Sequence, residues 1–372
     1  MGQSRRQSVL LARLTVHRDI FDSLFVVMHR SFWSFPLSAG LALSSCLPKG
    51  CPEVKGDLTI DSFQLYPENT DFDAKRCVAY FSVLYNATVA VYDPNKNVVV
   101  KTLTVPGLSG NPLLHSSGVQ VDPRDRLSIV IDAGSSFDTG GQNISGVNFL
   151  VKYGLKDDRV LWKANLTAVT NGVYSGYQDI EHDELGNTFV LGTFPSSIIR
   201  VSADGKQATP WYLATPPDHT VHGYSGIVNI GKSLIVSDNT DGQLYKFDIR
   251  AQRGTPVRIP LSSGDGPIGL NLDGAYLPPR YSDKVLLISD NVNGTYVLRS
   301  SDGKWNTAEN LGVVPNSLLS EGGTTVASLQ IGESIYTVTE FFGDARVPGT
   351  LAGNRTSFPL IDITSQVESL LK

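Results

Sequence analysis

Two acidic side chains and a histidine are the residues best suited to chemistry in this 372-residue sequence. Asp179, in Gln178-Asp179-Ile180, and Glu321, in Glu321-Gly322-Gly323-Thr324, interrupt positions where comparable segments carry neutral residues. A half-buried carboxyl rises in pKa and can release a proton near neutral pH, while an opposed carboxylate or imidazole takes one up. His222, beside Gly223 and Tyr224, either supplies that imidazole or is a satisfied loop histidine. Around these three, Ser117, Gln178, Tyr224, Ser225 and Thr324 are candidates for orienting a substrate, with Asp238, Asp290 and Glu340 as a second ring. Asp132, Asp238 and Asp290 have a competing role, because an Asp that ends a strand caps the following turn through backbone amides. Glu340 departs from the aspartate of that slot, which favours function.

Residues so far apart need a scaffold that gathers them, and the chain repeats one pattern. A small or polar tip opens a short apolar strand, a turn with Asp, Gly or Asn follows, and a strongly apolar strand ends in an acidic or small residue. Ser117-Gly118-Val119 leads into Leu127 to Asp132, Gln178-Asp179-Ile180 into Thr188 to Gly192, and Ser225-Gly226-Ile227 into Ser233 to Asp238. Ile268 to Asp273 leads into Lys284 to Asp290, and Gly323 to Leu329 into Ser334 to Glu340. Val119, Ile180, Ile227, Leu270 and Val326 thus recur near the ~40–50-residue interval of four-stranded blades, stretched by insertions such as the Gly- and Ser-rich segment 134–148. Val78 to Val105 adds one more blade. The sequence predicts an all-β fold, a six-bladed β-propeller with four-stranded antiparallel blades. Its ring is closed either by a strand near Leu58 to Phe63 or by the segment Ile361 to Leu371, which could instead be a docked helix. In a propeller the innermost strands converge on the axis. The tips named above, with His115, Ser116, Pro267 and Ile268, are therefore expected to line one mouth.

Composition narrows the partners. A formal charge of −5, with no basic run beyond the N-terminus, excludes nucleic acid. Gly264-Asp265-Gly266-Pro267-Ile268-Gly269 matches a phosphate-loop spacing but leads into a strand, so it carries no such meaning. Residues 1–45 read as an N-terminal extension followed by a signal peptide, with Met28-His29-Arg30 before an apolar segment and cleavage between Ala42 and Ser45. That apolar stretch is shorter than the ~20 residues of a membrane span. Residues 46–372 form the single propeller domain, expected to be a secreted or vesicular monomer. Five glycosylation sequons, at Asn86, Asn143, Asn165, Asn293 and Asn354, agree with the secretory pathway. Of three cysteines, Cys51 pairs with Cys77, or Cys46 does. No zinc-ligand spacing occurs, and no metal or other cofactor is expected.

The repeat pattern resembles that of regucalcin- and gluconolactonase-like propellers, whose axial divalent cation is held by Glu, Asn and Asp at strand tips. By that resemblance Asp179 fits the place of the family's Asp, while Ser225 and Ser117 stand where amide ligands would be. Loss of those amide oxygens argues against a hard-cation site and a metal-dependent lactonase. Over nearly the whole mature chain, Ser225-Gly226-Ile227-Val228, Asp238 to Asp248 and Glu321-Gly322-Gly323-Thr324-Thr325 are similar to a fungal secretory propeller group. That group includes the Malassezia propeller allergen and the propeller protein of the trichothecene cluster. The cluster member implies a cofactor-free cyclase that closes a pyran ether ring in a hydroxylated sesquiterpenoid by loss of water. Asp179, Glu321 and His222 would then be the acid/base groups. The allergen implies a non-enzymatic binder of lipids or small apolar ligands.

Overall fold

The computed structural model describes residues 50–372. The expected signal peptide and Cys46 lie outside the described residues. Six four-stranded antiparallel sheets follow one another around an axis, each built from strands adjacent in sequence except the last. The inner strands are Pro67–Asp73, Leu114–Val121, Ser175–His182, Tyr224–Ile230, Leu272–Tyr276 and Thr324–Ile331. The sixth blade takes its outermost strand from the N-terminal side. Leu58–Asp61 pairs antiparallel with Ser357–Asp362, with Leu58 opposite Leu360 and Ile60 opposite Phe358. This is the first of the two closures expected, and it leaves no blade with an open join. The alternative segment finishes that strand and then turns into the helix Thr364–Leu370. Cys51 and Cys77 are joined by a disulfide, which ties the start of the domain to the first blade.

Second strands such as Leu127-Ser128-Ile129-Val130-Ile131 and Val285-Leu286-Leu287-Ile288 are apolar almost throughout because each blade is covered on both faces. Side chains alternate across a strand. Ile129 and Ile131 therefore pack toward the first blade while Val130 packs toward the third. In the fifth blade, Leu286 and Ile288 face the fourth, and Val285 and Leu287 face the sixth. Six such clusters, one between each pair of neighbours, make the core, so no blade buries its apolar surface without the next.

Near the axis the blades are joined by polar bonds. Val121 N–H donates to Asp71 Oδ2 (2.7 Å), Gln120 Nε2 to Glu181 Oε1 (2.9 Å), and Ile227 N–H to Asp179 Oδ2 (3.0 Å). A register shift interrupts every inner strand at its pairing with the second, for example between Ser116 and Val119 and between Tyr224 and Ile227. Such bulges re-aim consecutive side chains, and here they do so at one level around the axis.

The fifth blade corrects the expected register. Its inner strand is Leu272–Tyr276, and Pro267 to Asn271 form the approach loop. Gly269 packs against Asp290, Leu272 and Tyr296, a close approach that holds this loop against the blade rather than within it. Asp273-Gly274, not Ile268, is thus the equivalent of Ser117-Gly118 and Ser225-Gly226.

Candidate functional site

A cavity of about 330 Å³ opens on the face where the inner strands begin and the second strands end. Antiparallel blades require this convergence: the start of each inner strand lies beside the end of its second strand. Glu68, His115, Ser117, Gln178, Leu272 and Asp273 come from inner strands, while Leu84, Tyr85, Asp132, Asn291 and Phe342 come from the ends of second strands or just beyond. Phe137 and Asp138 enter from a helical turn in the 134–148 insertion, and His222 from the loop before the fourth blade. The volume falls in the range of small-molecule pockets, and the wall sets five apolar or aromatic side chains against nine polar ones.

Asp132 and His115 are direct cross-strand partners in the second blade, so acid and imidazole project on the same side as neighbours. Asp132 is wholly buried. Its Oδ1 meets Ser117 Oγ at 3.0 Å, and its Oδ2 has no partner among the described residues. Burial pushes its pKa up to about 8, against the opposing effect of the Ser117 hydrogen bond. His115 meets the Tyr85 ring edge-on at 5.4 Å, and burial lowers its pKa. Gly134 makes room for this imidazole, since a Cβ there would lie 2.5 Å from His115 Nε2. His222 stacks on Phe194 (5.4 Å between centroids), and burial lowers its pKa as well. Asp273 Oδ2 accepts from Asn291 Nδ2 at 2.6 Å, and burial raises its carboxyl to about 7. Glu68 is driven well above the usual carboxylate range, first by burial and then by Asp273, Asp132, Asp179 and Glu340. The cavity therefore places carboxyls raised by burial beside imidazoles lowered by it.

The other residues singled out in the sequence distribute as follows. Ser117, Gln178 and His222 line this cavity. Asp179 does not: the inner-strand alternation turns it into a second cavity at the opposite end of the axis, although burial does raise its pKa to about 8. Glu321 lies exposed on a 3₁₀ turn, Leu319–Glu321, and lines neither axial cavity, because the chain reaches the axis only from Thr324 onward. The two are thus not brought together. Tyr224 is buried between the third and fourth blades against Tyr212 and Phe247, and Ser225 meets Ser237 Oγ. Asp238 Oδ1 accepts from Thr240 N–H, and Asp290 Oδ1 from Val292 and Asn293 N–H, which is turn capping. Thr324 begins its strand outside the cavity wall. Glu340 is fully buried with both oxygens unpartnered among the described residues, and burial drives its carboxyl well above the usual carboxylate range.

Glu68 and Asp273 escaped the sequence reading for definable reasons. Asp273 was hidden by the register of the fifth blade. Glu68 lies in Pro67-Glu68-Asn69-Thr70-Asp71-Phe72-Asp73, whose polarity hides a strand. The signal available was position: it precedes the apolar strand Val78–Val83 by one turn, as inner strands do elsewhere.

Among the described residues, no set of three or more His, Cys, Asp or Glu side chains is arranged to hold a metal ion. None of the described helices is long and apolar enough to cross a membrane. The cavity's face combines exposed apolar side chains with acids, Asp138, Asp218, Asp241, Asp265, Glu321 and Asp344. Its loops carry no lysine and two arginines, Arg346 and Arg355, the latter paired with Asp344. Phe63, Leu113, Leu270, Leu319 and Phe342 stand exposed around it. A mouth of this kind favours entry of an apolar molecule.

The Mal s 1 allergenic protein-like family model matches residues 51–302. The chain belongs to this family. It is 38% identical to "Trichothecene biosynthesis protein 14" of Trichoderma arundinaceum, over 86% of this chain and 92% of the relative. It is also 38% identical to "Core trichothecene cluster (CTC) protein 14" of Fusarium sporotrichioides, over 86% and 88%. Among solved structures, the Malassezia sympodialis allergen Mala s 1 superposes with a TM-score of 0.71 at 24% identity, over 83% of this chain and 96% of that one. This member of the Mal s 1-like family thus shares its fold with an allergen and more of its sequence with trichothecene-cluster proteins.

Proposed function

We propose that this chain acts in trichothecene biosynthesis, closing an ether ring in a hydroxylated sesquiterpenoid by acid/base dehydration. Two relatives named for trichothecene biosynthesis, each matched over most of its length, support the pathway. The observation that carries the reaction is the cross-strand pair Asp132 and His115, a protonated acid beside a neutral base in a cavity that also presents apolar rings. Groups whose environments drive their pKa values in opposite directions are what acid/base chemistry needs.

The Asp132 carboxyl gives its proton to a departing hydroxyl, whose C–O bond breaks as water leaves. A second hydroxyl of the same molecule forms the new C–O bond, and its proton passes to the His115 imidazole. The imidazolium then returns a proton to the Asp132 carboxylate, so the net change is the loss of one water. Leu84, Tyr85, Phe137 and Phe342 hold the carbon skeleton folded with the reacting atoms close and exclude bulk water. Asp273, held by Asn291, and Gln178 orient the hydroxyls. We also infer passage through the secretory pathway, supported by the five sequons and the disulfide.

The test is incubation of the purified chain with a polyhydroxylated trichothecene precursor, followed by mass spectrometry for a product lighter by one water. Ring closure above the buffer rate is expected, with Asp132→Asn slower by about 10²–10⁴-fold. A rate equal to buffer would end this reading.

A further inference from the structure

A second cavity, of about 390 Å³, opens at the opposite end of the axis. At the bulges of the first, third and fifth blades one residue lines the first cavity and the next lines the second. Glu68 and Gln178 therefore line one, and Asn69 and Asp179 the other. We propose that this second cavity binds a small, neutral, polyhydroxylated molecule, a sugar or polyol.

Three of its four carboxylates, all but the exposed Asp283 at the rim, are engaged in holding blades together. Asp71 accepts from Val121 N–H, Glu181 from Gln120 Nε2 and His182 N–H, and Asp179 from Ile180 and Ile227 N–H and from Asn69 Nδ2. What remains unpartnered among the described residues is a mixed set: the hydroxyls of Thr70 and Ser328, the acceptor Gln120 Oε1 and the donor Asn229 Nδ2. Thr70 and Ser328 are only 8% and 4% exposed, yet both line the cavity. An unpaired buried polar atom costs roughly 1–3 kcal/mol, so an occupant that pairs with this set would be stabilised by it.

The mixture selects the ligand. A cation pairs with acceptors alone and would leave the Asn229 donor unpaired. An anion would face Asp71, Asp179 and Glu181 with no lysine or arginine in the lining to offset them. An alcohol group donates and accepts at once, so several of them on one small skeleton can pair with all four. This inference does not rest on the proposed cyclisation.

Saturation-transfer NMR and titration calorimetry with glucose, sorbitol and glycerol test it, with Tris and inorganic phosphate as amine and anion controls. Saturable binding of at least one of the three is expected. It should weaken about tenfold in Thr70→Val/Ser328→Ala and stay unchanged in Asp132→Asn, which alters only the first cavity. Should the double variant fail to fold, Ser328→Ala alone should still weaken binding measurably. No saturable binding, meaning water as the only occupant, would overturn the proposal. So would preference for Tris or phosphate, or binding lost in Asp132→Asn and kept in the second-cavity variants.

Discussion

Ser117 Oγ lies 3.0 Å from Asp132 Oδ1 and 2.9 Å from the carbonyl oxygen of Tyr177, and it has one proton to give. A carbonyl oxygen only accepts. When Ser117 donates to Tyr177, its contact with Asp132 is a hydrogen bond only if Asp132 is the donor, hence protonated. When Asp132 ionises, Ser117 must turn and donate to it instead. Ser117 therefore serves either state and favours the ionised one, which is why its bond acts against the upward shift caused by burial.

The reaction should accordingly lose rate as pH rises through about 8, where Asp132 gives up the proton it must supply. It should also lose rate on the acid side below 6.5, where His115 becomes charged and no longer accepts. Ser117→Ala removes the bond that favours ionisation, so the alkaline limb should move to higher pH while the acid limb stays. A pH–rate profile of kcat/KM for the two proteins checks this. An unmoved alkaline limb would show that Asp132 is not the acid.

Stability should depend on pH through the same groups. Asp132, Asp179, Asp273 and Glu181 have folded pKa values raised to about 8, 8, 7 and 7. A carboxyl raised on folding contributes stability that is full below its unfolded pKa and is lost as pH rises through the folded value. The histidines with lowered pKa values act in the other direction, but only below 6.5. Tm should therefore fall by several degrees between pH 6.5 and pH 8, and fall less steeply in Asp132→Asn. Differential scanning calorimetry across that range decides, and a flat or rising profile would contradict the protonation states assigned here.

The propeller was legible because its apolar second strands announce themselves: a run such as Val285-Leu286-Leu287-Ile288 can only be covered on both faces. The closing strand Leu58–Asp61 was legible as one of two choices, since a blade lacking a strand must borrow one. The site was less so. Which way a side chain faces at a bulge depends on one residue of register, and that residue separates Gln178 in one cavity from Asp179 in the other. Local pattern pointed to Ser117 and Gln178, which line the first cavity, yet it took the bulge geometry to set Asp179 apart from it. Glu321 misled because a Gly-Gly pair resembles a strand tip, whereas here it is the approach to one.

Gly226, on the fourth inner strand, lies against the backbone of the fifth. A Cβ there would lie 2.6 Å from Ala275 N and 2.7 Å from Asp273 O, both backbone atoms that cannot move without shifting the fifth blade. Gly226→Ala should destabilise by about 1–3 kcal/mol through overpacking. It should also reduce activity, because the strand displaced carries Asp273. Urea unfolding with an unchanged m-value would isolate the stability term. A variant as stable as the parent would mean the inner strands have slack at this level.

All five sequons fall on one face, the one that carries the first cavity, because Asn86, Asn143, Asn293 and Asn354 follow second strands and Asn165 ends an outer strand. Four of the asparagines are exposed, while Asn86 is half-buried and its backbone carbonyl accepts from Gly110 N–H. Expressed through a secretory pathway, the chain should carry glycans at the four exposed sites and sparsely at Asn86, since transfer needs an accessible side chain in a pliable loop. Intact-mass analysis before and after enzymatic deglycosylation, with peptide mapping, measures occupancy site by site. Glycans on that rim would screen its exposed apolar side chains, so replacing the four exposed asparagines by Gln should lower solubility without altering the fold. Absence of glycan at all five sites in secreted material would remove the support that the sequons lend to secretion.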